Sequence, residues 1–512
     1  MTKAKTALVI GGGHNGLICA TYLAQAGCQV QLVERRGTVG GGAALHHFGE
    51  GYSVPALAQM HHPLHPKIAK ELKLDAPAAG PASAIIALSR EGQHLYLGEN
   101  GATGTGLSAE DQAAYIAFKQ EFGAYAKALG ALYLNTAPRL KDFDLADGTV
   151  LAKLGWQLRF GLGRDAMREF LRVGGMNVYD ILNEKFASPA LKGALAAQAV
   201  LGNHVGPRTP TTALNYLYAR FQELQGPASH GTQIADHLRD AASGAGVSIT
   251  TGVAVEQIMV SDGVATGASL SDGRVIEADI VVSNADAKAT FLNLVGPAQL
   301  DAMLTHRISK TRTNGDVSKV NLALDSAPDF AGLNADDLRH RMMIAPDMRY
   351  VERAFNASKY GEISQAPVLD IACPSAVNGA LAPAGHHVLS INVSFTPYRL
   401  KQGWDEGCAV VLQKVLGILE DYSPGIGAKV VASEVLSPVD IEAQYGITGG
   451  HWHHGEMSID QGFMMRPVHG TAQYQTPIEG LFLCGAAAHP GGGITGLPGR
   501  NAARRILAKA AR

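Results

Sequence analysis

The sequence predicts an α/β protein in which one domain is interrupted twice by segments of a second domain. Three observations lead to this prediction. A strand, a glycine-rich turn and a helix open the chain, alternating helices and strands return from about residue 232, and a last strand, turn and helix close the chain after Gly480. Each long excursion leaves the first fold and returns to it, a pattern typical of two interleaved domains.

At 512 residues the chain is too long for one simple core, so the two domains are assigned separate segments. Helical periodicity dominates the first excursion, and strands mixed with helices fill the second. The predicted α/β domain comprises residues 1–90, 225–290 and 437–512, and the predicted α+β substrate or cap domain comprises residues 91–224 and 291–436.

A glycine-rich turn at residues 11–16 directly follows an apolar run, residues 7–10, that predicts a buried strand. Gly11 allows the tight turn out of the strand, Gly13 lets the backbone approach a pyrophosphate, and Gly16 lets helix and strand pack closely. Free N–H groups at the start of the following helix favour an anion. The pattern therefore predicts a dinucleotide-binding turn rather than a glycine-rich surface loop.

A second predicted strand, residues 29–33, ends at Glu34. A dinucleotide fold places at this point the carboxylate that binds the adenosine ribose hydroxyls. Because a carboxylate repels a 2′-phosphate, these residues favour FAD or NAD over NADP. The glycines at positions 40–42 come soon afterwards, as a longer cofactor requires, because more of the backbone must approach it.

The C-terminal segment contains a second glycine-lined helix start. A short apolar strand precedes Gly485, the glycines at positions 491–493 follow, and a helix is predicted from about residue 498. In a flavoenzyme such backbone N–H groups face the electron-rich N1/O2 edge of the reduced ring. Taken with the N-terminal turn, this segment favours FAD over NAD.

Composition excludes several other classes of function. A net charge of −2 and a pI near 6.8 give no electrostatic footprint for nucleic acid. No apolar run reaches the roughly 20 residues of a membrane span, and residues 1–5 lack a secretory signal, so we expect a cytoplasmic protein. The five cysteines form no CxxC pair, which leaves a dithiol redox mechanism without residues.

Two histidine-rich stretches, residues 61–66 and 451–454, raise the question of a metal site. Prolines impose extended geometry on the first stretch, and neither cysteine nor carboxylate lies within it. The local spacing of the second does not by itself turn three imidazoles inward. We therefore predict no metal.

Five segments of the chain resemble the phytoene desaturase-like branch of the FAD-dependent amine oxidase superfamily. They are VIGGGHNGLICATYLAQAG with VERRGTVGG, MREFLRVGGMNVYDILNEKF, GVSITTGVAVEQIMVSDGVATGASLSDGRVIEADIVVSNAD, HHGEMSIDQGFMMRP and GLFLCGAAAHPGGGITGLPGRNAA. The resemblance implies an FAD-binding Rossmann-like domain of the glutathione reductase type. One departure is the segment Ser-His-Gly-Thr at residues 229–232, where many relatives have Gly-Gly-Met-Gly.

The resemblance also implies which residues contact FAD. Those of the N-terminal turn and its surroundings approach the adenosine and pyrophosphate, Val255 lends backbone to the adenine, and the C-terminal residues approach the ribityl chain and the ring. The implied contacts are Gly11, Gly13, His14, Asn15, Gly16, Glu34, Arg35, Gly40, Gly41, Val255, Gly485, Gly493, Ile494 and Thr495.

For function, the resemblance implies an FAD-dependent oxidoreductase that desaturates or saturates C–C bonds of a small apolar, isoprenoid-type substrate by hydride transfer to flavin. A flavin amine oxidase and a flavin-bound regulatory protein with little turnover are the alternatives. The catalytic residues are unknown. His454 and Arg466 are candidates for the substrate side, with structural support as their alternative role. Peripheral contact with a membrane and the oligomeric state stay open.

Overall fold

The structure is a computed structural model that describes residues 4–74, 84–139, 144–229 and 233–510. Residues 230–232, which carry most of the departure from the family pattern, lie outside the described residues. The strands are β1 (Thr6–Ile10), β2 (Gln29–Glu34), β3 (Leu45–Phe48), β4 (Tyr52–Pro55), β5 (Ile85–Ala87), β6 (Leu95–Leu97), β7 (Ala102–Gly104), β8 (Ser248–Thr251), β9 (Val255–Ser261), β10 (Val264–Leu270), β11 (Val275–Glu277), β12 (Ile280–Ser283), β13 (Val317–Leu324), β14 (Arg341–Ile344), β15 (Val368–Ala372), β16 (His387–Ser394), β17 (Val430–Leu436) and β18 (Leu481–Leu483). The α-helices are α1 (His14–Gln25), α2 (Pro66–Glu71), α3 (Ala109–Tyr133), α4 (Leu145–Trp156), α5 (Arg164–Gly175), α6 (Val178–Lys185), α7 (Pro189–Val200), α8 (Thr212–Glu223), α9 (Ile234–Gly244), α10 (Ala302–Lys310), α11 (Met348–Lys359), α12 (Trp404–Tyr422), α13 (Ile426–Lys429), α14 (Pro438–Tyr445) and α15 (Leu497–Ala510).

A parallel sheet forms the first layer of the fold, with the strand order β18-β12-β1-β2-β8. Its central strand β1 is apolar and almost wholly buried, as a strand covered on both faces must be. Helices α9 and α15 both pack on α1, which returns from β1 to β2. This arrangement confirms the Rossmann-like α/β prediction, and it brings the carboxyl ends of β1 and β2 to one edge of the sheet.

The second sheet has the order β17-β13-β16-β15-β14-β5-β6-β7 and is antiparallel except where β14 pairs with β5. One of its faces is apolar and is covered by α12, through Val411, Val415 and Leu419. Strand β5 belongs to this sheet, although the predicted boundary assigns residues up to 90 to the other domain. The domain limits otherwise stay a prediction.

Helices α3 to α8 form the predicted helical insertion. Ser108 caps α3, because its hydroxyl accepts a hydrogen bond from the backbone N–H of Asp111 at 3.1 Å. Phe118 and Phe122 are buried with their ring centroids 4.2 Å apart, so these aromatic residues belong to the core. Among the described residues, no helix is long and apolar enough to cross a membrane.

One predicted strand is corrected by the structure. The apolar pattern predicts a single strand over residues 275–282, but these residues form β11 and β12, which belong to different sheets. Strand β11 pairs antiparallel with β10, whereas β12 turns into the parallel sheet beside β1. The carboxylate of Asp279 holds this junction by accepting the backbone N–H of Thr6 at 2.8 Å. The break lies at Glu277 and Asp279, which separate the largely exposed β11 from the fully buried β12.

Candidate active site

A cavity of about 660 Å³ is lined by residues of both sheets and of the helical insertion. Ile10 and Val33 mark the carboxyl ends of β1 and β2, while Arg341 and Asp370 come from the second sheet. Tyr218 reaches it from α8. A cavity of this size between two domains is the usual place for a cofactor and its substrate.

The N-terminal glycine turn forms one wall of this cavity. Gly11 adopts a φ of 96° in the turn out of β1, a conformation that favours glycine. A Cβ at Gly16 would lie 2.1 Å from the carbonyl oxygen of Gly11, so only glycine lets α1 approach the loop this closely. No side chain caps α1 at Gly13, which leaves its first N–H groups available to a phosphate.

Glu34 lies at the end of β2 and is buried beside the turn. Its Oε2 accepts the backbone N–H of Gly12 at 2.7 Å, and its Oε1 accepts that of Arg36 at 2.8 Å. Each carboxylate oxygen retains a second lone pair, so the group can still bind ribose hydroxyls. Arg35 and Val255 line the same end of the cavity, which therefore fits an adenosine.

The C-terminal segment lies against the N-terminal turn. A Cβ at Gly499 of α15 would lie 2.2 Å from the carbonyl oxygen of Asn15, and one at Gly485 would lie 2.4 Å from that of Asn284. Gly493 and Ile494 line the cavity on this side. The two glycine segments therefore form one continuous cradle, although they lie at opposite ends of the sequence.

Most of the predicted FAD contacts line the cavity, and four do not. Gly16, Gly40, Gly485 and Thr495 lie outside the lining. Gly40 donates its N–H to the carbonyl of Gly12 at 2.7 Å, which holds the second glycine cluster against the first. The residues that line the cavity are Gly11, Gly13, His14, Asn15, Glu34, Arg35, Gly41, Val255, Gly493 and Ile494. Two further lining residues, Asn284 and Ala285, follow β12 and were missed, since nothing in their local sequence marks them.

Neutral imidazoles line the cavity near the meeting point of the two glycine segments. Burial, followed by the proximity of His454 and His61, lowers the pKa of His14 to about 3. Burial also lowers the pKa of His454 to about 4. His454, a predicted substrate-side candidate, adopts a φ of 58°, an uncommon conformation for a residue with a side chain. Both imidazoles are therefore uncharged at neutral pH.

Arg466, the other predicted candidate, does not line the cavity. Its buried guanidinium donates hydrogen bonds to the backbone carbonyls of His453 at 2.5 Å, Ala486 at 2.9 Å and Glu456 at 3.0 Å. The side chain therefore ties the loop that carries His454 to the C-terminal glycine segment. Arg466 therefore has the structural role that the sequence analysis gives as the alternative to substrate contact.

A row of polar side chains on the second sheet also reaches the cavity. Arg341, Asp370 and Asn392 line it, and Lys319 lies beside Asn392 in the sheet. Sequence reasoning missed all four. The available signal was the occurrence of charged or amide residues between apolar neighbours in these strands. Among the described residues, no group of histidine, cysteine, aspartate or glutamate side chains is arranged to hold a metal ion.

Residues 16–507 match the family described as flavin containing amine oxidoreductase. The chain belongs to this family. Its members contain flavin, and the cradle described above has an end for adenosine and an end for the ring. The FAD cofactor expected from the sequence is therefore confirmed, and the protein is an oxidoreductase.

Several flavin containing amine oxidoreductase relatives are similar to this chain in sequence. "Pyridine nucleotide-disulfide oxidoreductase domain-containing protein 2" of Mus musculus is 32% identical over 98% of this chain and 93% of its own length. A limonene dehydrogenase component of Castellaniella defragrans is 25% identical over 98% of this chain and 94% of its own. "Phytoene desaturase (neurosporene-forming)" of Cereibacter sphaeroides is 28% identical over 54% and 52%. The phytoene desaturase-like resemblance is thus confirmed.

Solved structures share the same fold. An oxidoreductase from Methanosarcina mazei superposes with a TM-score of 0.61 at 17% identity and covers 98% of this chain and 100% of its own. Putrescine oxidase bound to putrescine superposes with a TM-score of 0.58 at 14% identity, over 99% of both chains. The flavin containing amine oxidoreductase fold is therefore common to the whole chain. The five cysteines are all free, in contrast to the disulfide in the name of the mouse relative.

Proposed function

We propose that the protein is an FAD-dependent oxidoreductase that desaturates or saturates a C–C bond of a largely apolar substrate by hydride transfer. The relatives in sequence include proteins named for desaturation of phytoene and for dehydrogenation of limonene. Solved structures of putrescine oxidase are 12–14% identical to this chain, a level at which the likeness shows a shared fold. The names of the relatives with the higher sequence identity therefore support a reaction at a C–C bond.

The charge of the cavity wall carries the proposal. Its carboxylates are already bonded: Glu34 to two backbone N–H groups, Asp370 to Arg341 and Asn392, and Glu442 to Tyr398 and the N–H of Gly449. The guanidinium of Arg341 lines the same cavity. A protonated amine would thus meet the cation of Arg341, while each carboxylate of the described lining already accepts hydrogen bonds from other groups, which disfavours an amine substrate.

Bound FAD supplies the acceptor or donor of the hydride. The chain's own residues position the reactants and keep water and charge away from the reacting carbon atoms. Met60, Leu201, Tyr218 and Met457 give the cavity an apolar wall, and His14 and His454 beside it stay neutral. Desaturation takes a hydride from one carbon atom, which bound FAD would accept, and a proton from the neighbouring carbon atom, which the neutral imidazole of His454 at the cavity wall would accept.

Anaerobic reduction of the bound flavin tests this function. The purified holoprotein is mixed with isoprenoid hydrocarbons, with putrescine and benzylamine, and with a metabolite extract, while the visible band of oxidised flavin is followed. We expect bleaching by a compound that mass spectrometry identifies as losing two hydrogen atoms from a C–C bond. The reverse direction is tested by reoxidation of dithionite-reduced enzyme with unsaturated compounds. Bleaching by amines alone would overturn the proposal, and a flavin that nothing reduces, in a protein that co-purifies with a partner, would favour a regulatory role.

We also propose that residues 145–175 contact an anionic membrane surface from which an apolar substrate is taken. This basic arm consists of α4, a π-helical turn and α5. Trp156 and Phe160 are 64% and 62% exposed, with ring centroids 4.4 Å apart. Exposed Arg159 and Arg168 accompany them. Exposed aromatic residues with flanking cations are typical of helices that lie in a membrane interface.

A further inference from the structure

The second sheet has one apolar face and one face with a polar row. Lys319 of β13 pairs with Asn392 of β16, and Asn392 pairs with Asp370 of β15. Asp370 in turn opposes Met343 of β14, and Arg341 lies two residues before Met343. Because side chains alternate between the faces of a sheet, these polar residues share one face. We call Lys319, Asn392, Asp370 and Arg341 the polar row.

The opposite face of the same strands is entirely different. It consists of apolar side chains packed under α12, among them Val320, Ile391 and Met342. Packing alone would be satisfied by apolar residues on both faces, and replacing buried ion pairs by such residues is often neutral or stabilising. The polar row therefore calls for an explanation other than stability.

The row is buried, and its hydrogen bonds are incomplete. Asp370 is 2% exposed and accepts Nε of Arg341 at 2.5 Å and Nδ2 of Asn392 at 3.0 Å. This leaves Oδ1 of Asn392, a residue only 4% exposed, without a partner among the described residues. Nη1 and Nη2 of Arg341 likewise donate to no described residue. Asp370 thus holds the guanidinium and the amide in place while leaving their outer atoms for another group.

The row belongs to the same cavity as the FAD cradle. Arg341, Asp370 and Asn392 line that cavity together with Gln59. Gln59 donates from Nε2 to the backbone carbonyl of Asp370 at 2.9 Å and accepts from Nζ of Lys319 at 3.3 Å. A substrate that reaches the flavin end can therefore also reach this row.

We propose that the polar row is the binding site for a carboxylate on the substrate, with Arg341 as the residue that grips it. The two free nitrogens of a guanidinium match the two oxygens of a carboxylate in a bidentate pair. Asn392 offers its open acceptor to a hydroxyl or a water beside that carboxylate. The substrate class is then an amphiphile, an apolar chain that ends in a carboxylic acid. The nature of the apolar chain rests on the proposed function, whereas the carboxylate site does not.

Charge balance selects a carboxylate over a phosphate ester. Asp370 already compensates Arg341, and burial lowers the pKa of Lys319 to about 7, so the row accommodates at most one further negative charge. A phosphate ester brings up to two charges into the same buried space, and the second would have no counter-ion there.

Calorimetric titration of the oxidised holoprotein under anaerobic conditions tests the site without turnover. The probes are farnesoic acid, its methyl ester, farnesol and farnesyl monophosphate. We expect the acid to bind at least about tenfold more tightly than the ester and the alcohol. Equal binding of acid, ester and alcohol would overturn the proposal, and tighter binding of the monophosphate would overturn the choice of carboxylate.

Variants identify the residue that grips the acid. Arg341→Gln should abolish the preference for the acid and leave binding of the alcohol unchanged, whereas Arg341→Lys should keep a reduced preference because the charge remains without the fork. Arg339→Gln, two residues away with a half-exposed side chain, is the matched control and should change nothing. A preference that survives in Arg341→Gln would overturn the assignment. If this variant does not fold, the lysine variant and the wild-type series decide the question.

The outcome separates this inference from the proposed function. Acids that bind as expected, in a protein whose flavin is reduced by amines alone, would leave the carboxylate site standing and refute the C–C oxidoreductase. Hydrocarbons that reduce the flavin while acids show no preference would do the opposite.

Discussion

Replacement of Arg466 by methionine tests whether this side chain supports the active site or contacts the substrate. The guanidinium is 2% exposed and donates to backbone carbonyls on two separate segments, at His453 and Glu456 on one side and at Ala486 on the other. Methionine fills much of the same volume but donates no hydrogen bond. We therefore expect the two segments to lose the group that joins them.

The size of the effect follows from the number of carbonyls left without a donor. Each buried acceptor without a partner costs about 1–3 kcal/mol. Removal of the buried cation offsets part of this loss of stability, because burial disfavours the charged guanidinium and lowers the pKa of Arg466 to about 10. We expect a net loss of about 3–5 kcal/mol in the free energy of unfolding, a large part of the roughly 5–15 kcal/mol of a typical domain.

Urea unfolding of the holoprotein measures this loss, and FAD content per chain shows whether the cradle survives. Arg312→Met is the matched control, since Arg312 binds the same loop region through Asp460 but is half-exposed at the surface. Its effect should stay below about 1 kcal/mol. Wild-type stability in Arg466→Met, together with a changed KM, would show that the side chain acts on the substrate and that the structural argument is wrong.

Three further predictions concern the cofactor, pH and the membrane. Gly16→Ala should weaken FAD binding by tenfold or more, because the added methyl group overpacks the turn at a cost of about 1–3 kcal/mol. Flavin fluorescence measures the binding, and the control Gly37→Ala, which has open space at its Cβ, should bind FAD normally. Burial lowers the pKa of Lys319 from 10.5 to about 7. Between these pH values the unfolded chain binds more protons than the folded chain, so the free energy of unfolding should rise with pH by up to about 1.4 kcal/mol per pH unit. Urea titrations at several pH values should show this rise in the wild type and not in Lys319→Met. Trp156→Ser with Phe160→Ser should reduce co-sedimentation with vesicles of phosphatidylserine and phosphatidylcholine by at least about tenfold, and equal binding of both proteins would contradict the membrane contact.

The cofactor half of the site was predictable because its chemistry is encoded locally. Gly11, Gly13 and Gly16 must occur at fixed spacing for the turn to form, and Glu34 must follow one strand later. Even the distant partner segment at Gly493 carries its own glycine signal. The pairing register between distant strands hardly affects such a motif, because one strand, one turn and one helix within about 30 residues define it.

Features of the fold that depend on which strands pair with each other were harder to predict from the sequence. The change of sheet between β11 and β12 depends on which strands each one pairs with, and the membership of β5 in the second sheet depends on its pairing with β14, which lies far away in sequence. Arg466 illustrates the same limit for side chains. Its position before the C-terminal segment suggested a place near the substrate, but its backbone partners are set by how two loops meet.

The polar row shows why the substrate half of this enzyme cannot be found as a motif. Each of its strands contributes one polar residue, and Lys319 and Asn392 are neighbours only through the register of β13 with β16. A shift of one residue would turn Asn392 into the apolar core beneath α12, so the same hydrophobic pattern that fixes the register also fixes the site. Isolated polar residues at alternate positions of otherwise apolar strands therefore indicate a binding face in this fold, even where no two of them are adjacent in sequence.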